Sequence, residues 1–354
     1  MLKIGIIGAG SISECHLDAY ANNNNCEIVS IADINIELAH DRAKKYGIKN
    51  IYADYKELLQ DECVDAVSIV TPTFTHKDIV IDALKSGKHV LCEKPPALTA
   101  DEVRECQKAA NESNKLLMFA FVCRFRSQVQ YLKKYIDAGK MGKIVSAECG
   151  RVMRCIGSEG WFIRREKGGG CLIDGAIHEL DNALYLMGYP KPKTVIASQT
   201  FVNGDLFGKM NSAKFCWESK DLNKYERNIE SAISAFVTLD NGASLYIKAA
   251  NTLNSVAPGV WVDVCGEKSG ARIDAFANDK KGTLDILEIT DDYYFSETSP
   301  ILDKVNIYEA EITHFVDCCV NKTECICKID EAVTLMEIIN AAYKSAESGL
   351  PVIF

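Results

Sequence analysis

The feature that most constrains this chain is its start. Lys3-Ile4-Gly5-Ile6-Ile7, a short and almost wholly apolar run, stops at Gly8-Ala9-Gly10-Ser11-Ile12-Ser13, where a helical pattern begins. An apolar run of that length cut off by glycines reads as a parallel strand buried on both faces, then a tight turn and a helix N-terminus. Gly8 permits the turn, and Gly10 lets the backbone come close to a pyrophosphate, which would sit on the free N–H groups and positive dipole end of the helix. Gly8, Gly10, Ser11 and Ile12 are therefore candidate dinucleotide contacts. Ser13 replaces the third glycine of the fingerprint and is small enough for helix and strand to pack with little displacement.

Glycines alone also fit an ordinary strand-to-helix turn. A second apolar strand, Glu27-Ile28-Val29-Ser30-Ile31-Ala32, decides between the two. It ends at Asp33, roughly two dozen residues after the glycines, where an acid meets the adenosine ribose. A carboxylate there accepts hydrogen bonds from the 2′- and 3′-hydroxyls and repels a 2′-phosphate. The residues that follow, Ile34-Asn35-Ile36-Glu37, bring no Arg or Lys to offset that repulsion, so NAD is expected over NADP.

With 354 residues the chain is long enough for two domains. A net charge of −9 and the absence of any basic run argue against nucleic acid. No segment is long enough to span a membrane, and the N-terminal apolar run is too short for a signal peptide. The 15 cysteines, among them Cys15, Cys92, Cys106 and Cys171, are scattered through strands and helices, which points to reduced thiols in a cytoplasm. His314, Cys318, Cys319, Cys325 and Cys327 cluster in sequence. They read as a helix and its following loop without Cys-x-x-Cys spacing, so no metal is expected.

Along the first part, 36–46 has helical period, 64–70 reads as a strand, and Thr71, Pro72 and His76 follow its carboxyl end, where open α/β sheets bind ligands. A plain loop with Thr75 as N-cap is the alternative. After a helix over 76–86, the strand 88–92 brings Glu93-Lys94-Pro95-Pro96 to the same edge. Two prolines stiffen the backbone after Lys94, which suits a cation that must hold one position. Thr99 opens a further helix and 116–122 reads as the last strand of this domain.

Beyond it, 145–152, 232–239, 243–249, 260–266 and 284–290 read as strands. On 232–239 neither face is strongly polar, so the sheet should be covered on both sides. Lys209 to Arg227 is the least patterned stretch. Gly168-Gly169-Gly170 would let the chain approach a ligand, and if 174–186 is helical, Asp174 and His178 project from one face. His16 and Tyr185 read as helix-packing residues.

Gly8-Ala9-Gly10, the run Gly87 to Pro95, Arg124-Phe125, Trp161-Phe162, Gly168-Gly169-Gly170, Asp174 and His178 together resemble the glucose–fructose oxidoreductase, inositol dehydrogenase and rhizopine-catabolism (Gfo/Idh/MocA) family. Glu311 to Phe315 and Ala342 to Gly349 resemble its terminal helices, so the resemblance covers nearly the whole chain. It implies an α/β protein. An N-terminal doubly wound parallel Rossmann sheet (1–122) would precede an α/β domain on a large open, predominantly antiparallel sheet (123–354). The second domain would bind substrate, and because helices can cover only one face of its sheet, the other face should meet a second copy in a homodimer or homotetramer.

Oxidising a secondary alcohol with NAD needs a base within reach of the hydroxyl proton, and histidine titrates near the working pH. His178 is the expected acid/base, Lys94 the cation facing developing alkoxide charge, and Asp174 the group that positions substrate or neighbours. The resemblance supports the same three positions. Glu93 and Lys94 are also candidate cofactor contacts; Arg124 and Trp161 are candidate substrate contacts, Trp161 through an apolar face against a sugar ring. The expected activity is an NAD-dependent dehydrogenase of a ring hydroxyl on a sugar, glycoside or cyclitol. Two alternatives are an NAD-recycling enzyme that makes a transient keto-sugar before an elimination, and a non-catalytic NAD-sensing regulator.

Overall fold

The computed structural model describes residues 1–154, 160–202, 228–274, 284–290 and 294–354; the stretch Lys209 to Arg227 lies outside them. The chain divides into two compact units, Met1–Phe125 with Val305–Met336, and Arg126–Lys304 with Glu337–Phe354.

The first unit carries six strands, β1 (Leu2–Ile7), β2 (Cys26–Ala32), β3 (Asn50–Tyr52), β4 (Ala66–Ile69), β5 (His89–Glu93) and β6 (Leu117–Ala120). They form one parallel sheet in the order β3-β2-β1-β4-β5-β6. Ile4, Ile6, Ile31, Val67 and Leu91 are fully buried, because a parallel sheet is covered on both faces by its crossover helices. Those helices are α1 (Ser11–Ala21), α2 (Ile36–Tyr46), α3 (Tyr55–Leu59), α4 (His76–Lys85) and α5 (Ala100–Ser113). Short polar residues set their starts: Asn35 accepts from the Leu38 N–H, and Thr99 with Glu102 forms a capping box. Strand order reverses between β1 and β4, which puts the ligand crevice at the carboxyl ends of these strands.

In the second unit lie α6 (Ser127–Asp137), α7 (Ile177–Met187) and a nine-stranded sheet. Its strands are β7 (Ile144–Val152), β8 (Pro192–Thr200), β9 (Ala232–Leu239), β10 (Ser244–Ala250), β11 (Gly259–Gly266), β12 (Ser269–Asp274), β13 (Leu284–Ile289), β14 (Phe295–Thr298) and β15 (Val352–Ile353). The order is β14-β13-β12-β11-β7-β10-β9-β8-β15, and only the β7–β10 pair is parallel. Helix α7 packs on β7 and β11. Ile233, Ala235 and Val237 are buried, while Phe236, one residue out of phase, is 44% exposed.

One segment departs from a simple division after residue 122. Helix α8 (Ile307–Asn321) and the start of α9 (Ile329–Ser348) belong to the first unit. Ile312, Phe315 and Val316 of α8 are fully buried, and the helix packs on α1 and β1. No helix among the described residues is long and apolar enough to cross a membrane.

Candidate cofactor and catalytic site

In the first unit the glycine turn has the geometry the sequence calls for. Gly8 adopts φ +107°, and a Cβ there would lie 2.7 Å from the Val70 carbonyl oxygen. Gly10 differs: a Cβ on it would meet nothing within 4 Å, so packing within the protein does not demand a glycine. The open space before Gly10 and the lack of any side-chain cap on α1 leave the helix N-terminus able to take a pyrophosphate. Ser13 is buried and its hydroxyl donates to the Gly10 carbonyl at 2.6 Å, so the replaced glycine costs no unpaired polar group. Ser11 is exposed and Ile12 half-buried in the first turn of α1.

Asp33 closes the other side of this turn. Its Oδ2 accepts from the Ala9 N–H at 2.6 Å and its Oδ1 from the Asn35 N–H at 2.7 Å, fixing the carboxylate beside the glycines. A cation from farther along the chain than the residues just after Asp33 also reaches the turn. Arg42 donates to the Ala9 carbonyl at 3.3 Å, and its charge is matched by Glu14 at 2.6 Å.

Lys94 leaves the carboxyl end of β5 half-buried, with a buried polar network behind it. Glu93 Oε2 accepts from the Lys94 backbone N–H at 3.0 Å, and Glu93 Oε1 lies 2.9 Å from His16 Nε2. His16 Nδ1 in turn lies 3.2 Å from Ser68 Oγ, which pairs with the Tyr20 hydroxyl at 2.9 Å. Burial raises the Glu93 carboxyl, but the His16 hydrogen bond and charge and the Lys94 charge and N–H outweigh it and hold it below the usual range. His16 thus does more than pack a helix. Nothing in the local pattern of α1 marks it, because its partner lies 77 residues away.

Two expected contacts are engaged in bonds within the protein. His76 is fully buried between two backbone oxygens, with Nδ1 2.8 Å from the Pro95 carbonyl and Nε2 2.8 Å from the Thr71 carbonyl. It ties the Lys94-Pro95 loop to the end of β4 and offers no surface nitrogen; burial pushes its imidazole down. Thr75 does not cap α4 with its side chain but donates to the Pro72 carbonyl and pairs with Thr71 Oγ1 at 2.7 Å. Arg124, expected as a substrate contact, is held inside the first unit. Its side chain is 0% exposed, donates to the Ile326 carbonyl at 2.6 Å, pairs with Glu331 and lies over the Phe121 ring. An arginine so enclosed ties the turn Val122–Phe125 to the segment after α8.

In the second unit, the expected single helix over 174–186 is two pieces: a π-helical turn, Cys171–Gly175, and then α7 from Ile177. Asp174 and His178, both half-buried, straddle the junction at Ala176. The triple glycine has an internal reason. A Cβ on Gly169 would lie 2.2 Å from the Phe162 carbonyl oxygen, and one on Gly170 2.6 Å from the Tyr343 hydroxyl. Close approach here is chain to chain.

Glu230 is the hub of this turn. Fully buried, its Oε1 accepts from the Cys171 N–H at 2.7 Å, the Leu172 N–H at 3.3 Å and the Tyr343 hydroxyl at 2.9 Å. Oε2 pairs with Arg165, whose guanidinium stacks 3.6 Å over the Tyr343 ring. Sequence gives little warning of it, since Glu230 merely precedes an apolar strand. Arg151, reaching Asn251 at 3.2 Å, would stand 2.9 Å from a Cβ on Gly175. Trp161 is half-buried and stacked on Phe162 with ring centroids 3.8 Å apart. Tyr185, read as a packing residue, carries the Lys133 ammonium 5.6 Å from its ring centroid.

Comparison with known proteins agrees with both halves. The model of an oxidoreductase family with an NAD-binding Rossmann fold matches residues 2–121, and that of the same family's C-terminal alpha/beta domain matches residues 133–354. A D-glucoside 3-dehydrogenase of Escherichia coli K12 is 30% identical over 358 residues, covering 98% of this chain and 96% of the relative. The scyllo-inositol 2-dehydrogenase (NAD(+)) of Bacillus subtilis 168 is 27% identical, covering 99% and 96%. An aldose-aldose oxidoreductase from Caulobacter crescentus, solved with glycerol, shares the fold at a TM-score of 0.81 with 22% identity, covering 100% of this chain and 99% of that one. Matched in order through both of its domains, the chain belongs to the Gfo/Idh/MocA family of oxidoreductases, whose first domain is an NAD-binding Rossmann fold.

Proposed function

We propose that this oxidoreductase moves a hydride between a ring hydroxyl carbon of a sugar, glycoside or cyclitol and the nicotinamide of NAD. The observation that carries the reading is Lys94, whose backbone is held at the edge of the nucleotide-binding sheet by a Glu93 carboxylate pinned to buried His16. The relatives by sequence include a D-glucoside and an inositol dehydrogenase, which supports this substrate class.

Bound NAD supplies the hydride acceptor. Gly8, Gly10, Ser11 and Ile12 would hold the pyrophosphate, Asp33 the ribose, and Thr71 and Pro72 the edge beyond β4. His178 would take the hydroxyl proton as general base and Asp174 would orient the hydroxyl. Lys94 would stabilise the alkoxide charge that develops as the proton leaves, a charge that the departing hydride discharges as the carbonyl forms. Trp161, with one ring face on Phe162, would turn an apolar surface to the sugar ring.

The enzyme would work as a homodimer or homotetramer through the outer face of the second sheet. Register places Ile196, Phe236 and Tyr246 in one row across β8, β9 and β10, exposed by 48%, 44% and 38%. An exposed apolar row of this kind supports an interface between copies. A cytoplasmic location fits the cysteines, which are all free among the described residues.

A panel of D-glucosides, free sugars and inositols incubated with NAD, read by NADH absorbance and product mass, tests the reading. A keto product formed with equivalent NADH is expected. A redox-neutral product without NADH would replace it by the recycling reaction, and inertness of every member with NAD bound would sink the substrate class.

A further inference from the structure

Spacing along the sequence gives no paired-cysteine motif near residue 320, yet folding gathers three metal donors there. His314 and Cys318 lie four apart on α8 and so share a face. Lys322, in the left-handed conformation at φ 58°, ends the helix, and the chain after it brings Cys325 back to them. Donor atoms of His314, Cys318 and Cys325 all lie within 4.8 Å of one another, and Cys318 Sγ is 3.4 Å from His314 Nε2. In a tetrahedral zinc site, with Zn–S about 2.3 Å and Zn–N about 2.0 Å, sulfur and nitrogen stand about 3.5 Å apart and two sulfurs about 3.8 Å apart. The donors are therefore close to the spacing an ion needs before any ion binds.

We infer that His314, Cys318 and Cys325 form a binding site for a thiophilic divalent cation of the zinc class, which clips the loop after α8 to that helix. Two sulfurs and an imidazole select such an ion over magnesium or calcium, which require oxygen ligands. Binding releases the two thiol protons to solvent. Two thiolates and one divalent ion then sum to zero formal charge, which suits a place where Cys318 is buried and the other two ligands are half-buried. His314 Nε2 now accepts the Ile326 N–H at 3.1 Å and would exchange that neutral hydrogen bond for the metal. A groove lined by His89, Lys115 and Lys322 reaches Cys318 and Cys325 and provides an entry path. Three protein ligands leave the fourth position to water.

Titration of the reduced, chelator-stripped full chain with Co²⁺ tests this. Thiolate-to-cobalt charge-transfer absorption should saturate at one ion per chain and disappear when Zn²⁺ is added. Cys325→Ser, in the half-buried loop, should weaken binding by at least about tenfold, since even partners beyond the ligands cost that much. Cys318→Ser should do the same. Cys63→Ser and Cys265→Ser, at exposed positions elsewhere, should bind as the parent does. Because a buried Cys318 variant can fail to fold, the Cys325 variant checked by circular dichroism carries the test. Binding without a thiolate band, binding unchanged by Cys325→Ser, or a Cys318–Cys325 disulfide that persists under reduction in place of metal would each overturn the site.

Discussion

Glu93 Oε1 stands 2.9 Å from His16 Nε2, a buried pair that joins the first helix of the nucleotide-binding sheet to the strand end carrying Lys94. Removing one member of such a pair strands the other, at a cost of about 3–5 kcal/mol. His16→Ala and Glu93→Gln should each lower the urea midpoint and reduce kcat more than NAD affinity. The pH dependence has a definite sign. The Glu93 carboxyl lies lower in the folded chain than in the unfolded one, so its contribution is complete above the unfolded value of about 4.3 and fades as pH falls through the folded value. Urea melts of the parent and Glu93→Gln should therefore differ at pH 7 and converge in acid.

Asp33 predicts cofactor choice. NAD should bind more tightly than NADP, because a 2′-phosphate would meet a carboxylate already fixed by the Ala9 and Asn35 N–H groups. Asp33→Ser should narrow the gap and weaken NAD by about tenfold or more, the worth of hydrogen bonds to a charged group. Fluorescence titration of both cofactors measures it, and tighter NADP binding by the parent would contradict the assignment.

Arg124 should behave as a structural residue. Arg124→Met leaves Glu331 without its buried partner and should destabilise the chain by about 3 kcal/mol or more. At temperatures where the variant stays folded, KM for the sugar should be close to that of the parent. A raised KM with unchanged melting temperature would make Arg124 a substrate contact instead.

Assembly follows from the row Ile196, Phe236 and Tyr246. Light scattering at micromolar concentration should give at least a dimer mass, with an obligate interface of about 2,000 Å² or more in total. Phe236→Asp should shift the protein toward monomer, since a charge buried in such an interface has no partner. A monomeric parent would rule out the interface.

The Rossmann half was legible because its signals are local. Apolar runs end at Gly8, Asp33, Thr71 and Glu93, and helix 36–46 appears over the residues its period marks. Strand ends were less sharp, with 116–122 shortening to Leu117–Ala120, because neighbouring apolar residues enter the turn Val122–Phe125. β8 and β15 carry little local signal: β8 is buried at few positions, and β15 is two residues that become a strand only by pairing with β8. The supports of the site were hidden for a related reason. His16 finds Glu93, and Glu230 finds Cys171 and Tyr343, across distances in sequence that no periodicity spans. The break at Ala176 between Asp174 and His178 also comes from tertiary bonding, since Glu230 and Tyr343 hold the turn before it.

The proposed chemistry has Lys94 and His178 serve one proton during hydride transfer. It is tested most directly by kcat of His178→Asn, Lys94→Ala and the double variant on the ring-hydroxyl substrate, measured across pH. Each single change should lower kcat by about 10²–10⁴, the contribution of a positioned acid or base. The double variant should be little worse than either, as groups acting as a unit lose activity non-additively, and NAD affinity should change far less. Near-full kcat of His178→Asn at every pH would contradict the account and leave Lys94 alone as the proton acceptor.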